Sequence, residues 1–162
     1  MGPRRLILLR HGQAVPESAQ WQDFERPLTQ RGRADVAAVA RQLNHQDRIP
    51  ARILTSPALR TATTASIVAE HCGLGPEQVM TIDDLYLAGP ETVWLQLARC
   101  AAEWRTVLIC GHNPGLSELA GRLGERPVRR DLATAGLATA IWTSPDWRSV
   151  RPEAGEQCEP VD

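Results

Sequence analysis

No apolar run at the start of the chain is long enough for a secretion signal or a membrane span. Behind Arg4 and Arg5 stand only four apolar residues, Leu6 to Leu9, where a spanning helix needs about 20. Nor is there an excess of charge of one sign. The 18 basic and 19 acidic residues leave a net charge of -1, so no general attraction to nucleic acid or anionic lipid follows, and affinity for an anion must be built locally. No nucleic-acid motif is visible. The four cysteines, Cys72, Cys100, Cys110 and Cys158, contain no CxxC pair. Cys72 and Cys100 fall in helical patterns and Cys110 ends an apolar strand, so they read as reduced, structural residues of a cytoplasmic protein. Repeats, low-complexity blocks and Pro/Gly-rich linkers are also missing, and the 162 residues are expected to form one domain.

Short β-like runs alternate with helical stretches. Leu6-Ile7-Leu8-Leu9 has the continuous apolar character of a strand covered on both faces. Thr29 reads as the N-cap of a helix carrying Val36, Val39, Ala40 and Leu43 at helical spacing. Arg52 to Thr55 predicts a second strand, and Pro57 to His71 a helix stopped by Gly73. Val79 to Ile82 predicts a short strand, Thr92 to Glu103 a helix, and Thr106 to Cys110 a third confident strand. A helix over Leu116 to Leu123 follows Pro114, and Ala138 to Trp142 predicts a last strand. Residues 144–162 are polar and Pro-rich and are expected to be a partly mobile tail that includes Trp147, while Trp94 and Trp142 are expected in the core. The alternation implies an α/β three-layer sandwich, a mostly parallel sheet with helices on both faces.

Sheets of this kind bind ligands beyond the carboxyl ends of their strands. After Leu9 comes Arg10-His11-Gly12, after Thr55 comes Ser56-Pro57-Ala58-Leu59-Arg60, and after Cys110 comes Gly111-His112-Asn113-Pro114. Three strand ends thus bring two histidines and two arginines to one rim. The remaining histidines, His45 and His71, sit near helix ends in polar surroundings and read as surface groups. Arginine offers paired donors to phosphate oxygens from a planar fork. Phosphoryl transfer needs mainly positioning and charge stabilisation, and a neutral imidazole can attack phosphorus to form a covalent phosphohistidine. A metal site is the competing use of these histidines. It is disfavoured, because Arg10 adjoins His11 and no carboxylate or cysteine lies at ligand spacing near His112.

Four segments carry a family likeness: LILLRHGQA at 6–14, RPLTQRG at 26–32, ILTSPALRTATTA at 53–65 and ICGHNPGLSELA at 109–120. Through them the chain resembles the histidine phosphatase superfamily, with its phosphoglycerate mutase-like fold, and most closely the SixA-type phosphohistidine phosphatase branch. The resemblance covers about residues 5–143. It implies His11 as the phosphorylated nucleophile and Arg10, Arg60 and His112 as the rest of the phosphate pocket, with no metal and no organic cofactor. Ser56 and Asn113 would border that pocket. Arg26 is a further candidate, whose alternative role is that of a solvated residue ahead of a helix.

One departure bears on the substrate. Many relatives that cleave phosphate esters carry a glutamate general acid shortly after the segment matching Ile82 to Leu85. Here the chain reads Asp83-Asp84-Leu85-Tyr86-Leu87-Ala88-Gly89, with Asp84 and Glu91 as the only nearby candidates. An alkoxide leaving group needs a placed acid, whereas an imidazole, with a pKa near 6.5, is less demanding. The short stretch between Gly73 and Thr106 also leaves little chain for a lid. Both points favour phosphohistidine on a protein substrate over a small phosphorylated metabolite such as a sugar phosphate or nucleotide. A non-catalytic module binding phosphoproteins is the alternative of another class, against which the complete set of four pocket residues stands. Neither nucleic acid nor membrane is expected as a partner. The Arg126, Arg129 and Arg130 cluster reads as a solvated loop.

Overall fold

The apolar run Leu6–Leu9 forms the middle of strand β1 (Gly2–Arg10), and all four side chains are fully buried. Side chains alternate across a strand, so Ile7 and Leu9 enter the core on one face of the sheet while Leu6 and Leu8 enter the core on the other. Each such burial contributes about 2 kcal/mol. The computed structural model describes residues 2–125 and 131–158; the Arg126, Arg129 and Arg130 cluster lies outside them.

Helix α1 (Gln30–His45) starts where Thr29 caps it, its hydroxyl accepting from the Gly32 N–H at 2.9 Å. Strand β2 (Arg52–Thr55) follows, then α2 (Leu59–Cys72), which ends at Gly73 with φ +68°. That left-handed conformation suits glycine. Strand β3 (Val79–Thr81), helix α3 (Pro90–Ala98), strand β4 (Thr106–Gly111), helix α4 (Gly115–Arg122) and strands β5 (Leu137–Ser144) and β6 (Glu156–Cys158) complete the described elements.

The sheet order is β3-β2-β4-β1-β5-β6. Strands β3, β2, β4 and β1 run parallel, β5 is antiparallel to β1, and β6 is antiparallel to β5. Helices α1 and α2 cover one face, placing Val36, Ala40, Leu43 and Val68 against Ile7, Leu9, Ile53 and Leu108. Helices α3 and α4 cover the other, placing Val93, Leu97, Leu116 and Leu119 against Leu6, Leu8, Leu54 and Ile109. This is the expected three-layer α/β sandwich.

Two expectations need correction. Helix α3 spans Pro90–Ala98 rather than Thr92 to Glu103. Proline at the first helical position has φ preset and loses no needed donor, so the helix begins earlier, while Cys100 N–H turns back to the Leu97 carbonyl at 3.0 Å and closes it. The stretch 144–158 is no loose tail. It folds back so that Trp147 and Val150 are buried, and β6 pairs with Thr139 to Ile141 of β5. The Trp147 indole N–H donates to the Trp104 carbonyl at 2.6 Å and that of Trp142 to the Arg151 carbonyl at 2.7 Å. The polar composition that suggested mobility belongs to the exposed residues between these anchors.

Candidate active site

Because β4 lies between β2 and β1, the three chemically interesting strand ends are neighbours. The ladder continues past the strands: His11 N–H donates to the Gly111 carbonyl at 3.2 Å, and Ser56 N–H to the Cys110 carbonyl at 3.3 Å. His11 and His112 therefore face one another, with ring centroids 5.5 Å apart. Gly12 allows the turn after His11 to press on α1. A Cβ there would stand 2.8 Å from both the Gly32 carbonyl oxygen and Val36 Cγ2, closer than side-chain carbons pack. Arg60, on the first turn of α2, enters the same space and is 1% exposed.

The result is an open pocket of about 290 Å³ whose wall includes Arg10, His11, Arg26, Arg60, His112 and Asn113. Arg26 is thus part of the wall, not a solvated residue ahead of the helix. Ser56 is placed differently from expectation. It is fully buried behind His112, its hydroxyl 2.7 Å from His112 Nε2, so it braces the ring and does not border the cavity. Asn113 lines the pocket but spends its side chain on the loop. Its amide donates to the Leu132 carbonyl at 3.0 Å, and its oxygen accepts from the Ser117 N–H and hydroxyl.

Asp84 and Glu91 do not reach the pocket. Asp84 is exposed, and Glu91 accepts from Arg122 at 2.7 Å on the surface. Asp84 fails because the short 3-10 turn over Asp83–Leu85 buries Leu85 and leaves its carboxylates exposed, and Glu91 fails because the first turn of α3 presents it to Arg122. The carboxylate that does line the pocket, Asp23, was not foreseen, nor was Tyr86, whose hydroxyl donates to it at 2.5 Å. The available signal was only a carboxylate three residues ahead of Arg26. The long connection from β1 to α1 has no periodicity from which its path could be inferred.

Electrostatics separate the roles of the two rings. His11 Nδ1 lies 2.7 Å from the Gly12 carbonyl, an acceptor only, so Nδ1 carries the proton and Nε2 holds a free lone pair. Burial lowers its pKa to about 4, helped by the charges of Arg60, Arg10 and Arg26 and opposed by the Gly12 hydrogen bond. His112 is lowered to about 3, first by burial and then by Arg60 and His11. Arg60 Nη2 donates to its Nδ1 at 3.2 Å, which leaves the proton on Nε2 to donate to Ser56. For Asp23, burial acts upward, but hydrogen bonds from Tyr86, Arg60 and Arg26 outweigh it and hold the pKa down to about 2. At neutral pH the described residues of the site therefore comprise two uncharged imidazoles, three arginines and one carboxylate. Arg10 Nε and Arg60 Nε are buried without a hydrogen-bond partner, donors of the kind a multivalent oxyanion satisfies.

Comparison with known proteins agrees with this chemistry. The model of the histidine phosphatase superfamily (branch 1) matches residues 6–88. An uncharacterised chloroplastic protein of Arabidopsis thaliana is 32% identical over 149 residues, covering 87% of this chain and 68% of the relative. Among solved structures, a protein from Nakamurella multipartitia assigned as the phosphohistidine phosphatase SixA superposes with a TM-score of 0.80 at 26% identity, covering 100% of this chain and 97% of that one. The protein histidine phosphatase SixA complexed with tungstate superposes with a TM-score of 0.79 at 27% identity, covering 97% and 96%. With its matched segment, its relatives and its fold in agreement, the chain belongs to the histidine phosphatase superfamily (branch 1), is SixA-like, and is a phosphatase.

Proposed function

We propose that this phosphatase removes the phosphoryl group from phosphohistidine in a protein substrate, by way of a covalent intermediate on His11. The observation that carries the assignment of the nucleophile is the His11 ring itself. Its Nδ1 is spent on the Gly12 carbonyl and its pKa is about 4, so at neutral pH Nε2 is unprotonated beside three arginines. In the first step the Nε2 lone pair bonds to phosphorus as the P–N bond of the substrate breaks, and the departing imidazole keeps that electron pair and takes a proton from solvent in the open pocket. In the second, water bonds to phosphorus, the P–Nε2 bond breaks, and orthophosphate leaves.

Arg10 and Arg60 would bind the phosphoryl oxygens, with Arg26 at the edge. His112 would join them once its Nδ1 is protonated, because an arriving dianion offsets the positive neighbours that help hold its pKa near 3. The only carboxylate on the wall among the described residues, Asp23, is ionised and hydrogen-bonded on both oxygens, so it has no proton to give a leaving alkoxide. That favours a leaving imidazole. The openness of the pocket suits a side chain presented on another protein, and the SixA neighbours support the same substrate class.

The test compares phosphate release from a phosphohistidine protein with release from sugar phosphates and nucleotides. A preference of at least tenfold in kcat/KM for the P–N substrate is expected; a preference for any ester would transfer the assignment to a small-metabolite phosphatase. Rapid quenching should trap an acid-labile phosphoryl group on His11, and His11→Ala should release no phosphate. A pocket that binds phosphoproteins without turnover would yield no trapped species.

A further inference from the structure

Among the described residues, Asp23 is the only acidic one on the pocket wall, and both of its carboxylate oxygens are engaged. Oδ1 accepts from Arg26 Nε at 3.2 Å and Nη2 at 3.0 Å. Oδ2 accepts from Arg60 Nη2 at 3.0 Å and from the Tyr86 hydroxyl at 2.5 Å. The Asp23 backbone carbonyl accepts from Arg60 Nη1 at 2.6 Å. The contacts extend to His112 by two routes. Arg60 Nη2 donates to its Nδ1, and the Tyr86 ring stands edge-on to it with centroids 5.6 Å apart. One residue in a surface turn thus fixes the direction of two pocket arginines and bears, through Arg60 and Tyr86, on the ring beside the nucleophile.

Two physical points give this arrangement a purpose. Arginine is long and rotamer-rich, and ordering it only when substrate arrives weakens binding; a fork already aimed avoids that loss. Charge is matched as well. With both imidazoles neutral, the described lining residues, three arginines and one aspartate, sum to net +2, the complement of a phosphoryl dianion. Three uncompensated guanidiniums side by side would repel one another and splay.

We propose that Asp23 is a positioning residue of the phosphoryl site, an anionic strut that aims Arg60 and Arg26 and, with Tyr86, sets the placement of His112. This rests on the reading of the pocket as the phosphoryl site and assigns the device that shapes it. Asp23 itself neither donates a proton nor touches phosphorus.

Tungstate titration tests the strut without turnover. Asp23→Asn is expected to weaken tungstate binding at least tenfold and to lower kcat by more than it raises KM, with a melting temperature within a few degrees of the native chain. Tyr86→Phe, which removes one donor to the same carboxylate, should weaken tungstate two- to fivefold. In an Arg60→Lys background, Asp23→Asn should cost less than threefold, because its main target is gone; a contribution through general folding would persist in full there and overturn the proposal. So would tungstate bound by Asp23→Asn as tightly as by the native chain, or more tightly, since Asp23 would then merely compete with the anion for the arginines. Should Asp23→Asn fail to fold, Tyr86→Phe alone and combined with Arg60→Lys decides by the same criteria. A native chain that binds tungstate in this Asp23-dependent way yet releases no phosphate from any substrate would break the nucleophile assignment and leave the strut standing.

Discussion

The two ends of β1 bury arginine in opposite ways. At its amino end, Arg4 is 2% exposed and every guanidinium nitrogen has a carbonyl partner: Nε donates to Ser144 at 3.0 Å, Nη1 to Ala102 at 2.6 Å and Nη2 to Pro145. Its fork also lies over the Trp147 ring. At the carboxyl end, Arg10 and the neighbouring Arg60 of α2 keep Nε unpartnered, and Arg60 is held by a carboxylate and an imidazole at the rim of a pocket. The first arginine closes the fold through backbone carbonyls and a ring; the others divide their donors between loop carbonyls, a carboxylate and an imidazole on the wall of a pocket that an anion can enter. Burial of a charge is therefore not by itself a mark of function. What distinguishes the site is several charged groups around one open space; unpartnered buried donors also occur away from it, at Arg5, Arg48 and Gln96.

The sharpest way to break this comparison is a paired substitution. Arg60→Met is expected to lower turnover per folded molecule at least about a hundredfold, the size of loss seen when a charge-stabilising donor is removed. Arg4→Met should cost stability instead. Three carbonyls lose their donor, at about 2–3 kcal/mol, which is about 5–10 °C in melting temperature, while kcat per folded molecule stays within twofold. If both variants lose turnover alike, the division between the two ends is wrong. Thermal denaturation and phosphate release on the same samples decide it.

Next in size is Trp147→Ala. Trp147 is 1% exposed and anchors residues 144–158, so its loss should cost about 3–5 kcal/mol of stability in urea unfolding without altering kcat. A cost near zero would restore the expectation of a loose tail.

Acid should act on the site end through its histidines. Both folded-state pKa values, about 4 and about 3, lie below the ordinary histidine value, so the unfolded chain binds more protons between those values and about 6.5. Stability from this source is complete above about pH 6.5 and is lost as pH falls through about 4 for His11 and about 3 for His112. Nitrogen-15 NMR titration of the unliganded chain should show His11 neutral at pH 6; a midpoint near 6.5 would contradict the burial argument. The smallest effect is assigned to Glu91→Gln. Its carboxylate pairs with Arg122 on the surface, and kcat/KM on any substrate should move less than twofold.

Much of this was legible before any coordinates. The continuous apolar run of β1, the Thr29 cap and the Gly73 stop are local signals, and the structure carries each of them. The three strand ends could be placed on one rim because parallel α/β sheets have a common carboxyl edge. Other features were not legible. Asp23 and Tyr86 lie in segments without regular period, and they meet only because the turn at Asp23–Glu25 and the turn at Asp83–Leu85 fold over the same side of the pocket. The seat of Ser56 behind His112 depends on one side-chain direction at a strand end.

Sequence alone thus determined the layers, the strand ends and the identity of the histidines and arginines gathered there, since periodicity and capping act over a few residues. Tertiary structure decided which nitrogen of the His112 imidazole holds its proton, which carboxylate enters the pocket, and whether residues 144–158 are loose or core. Those outcomes depend on groups far apart in the chain coming within about 3 Å of one another, a range at which hydrogen bonds and desolvation act and to which no local pattern is sensitive.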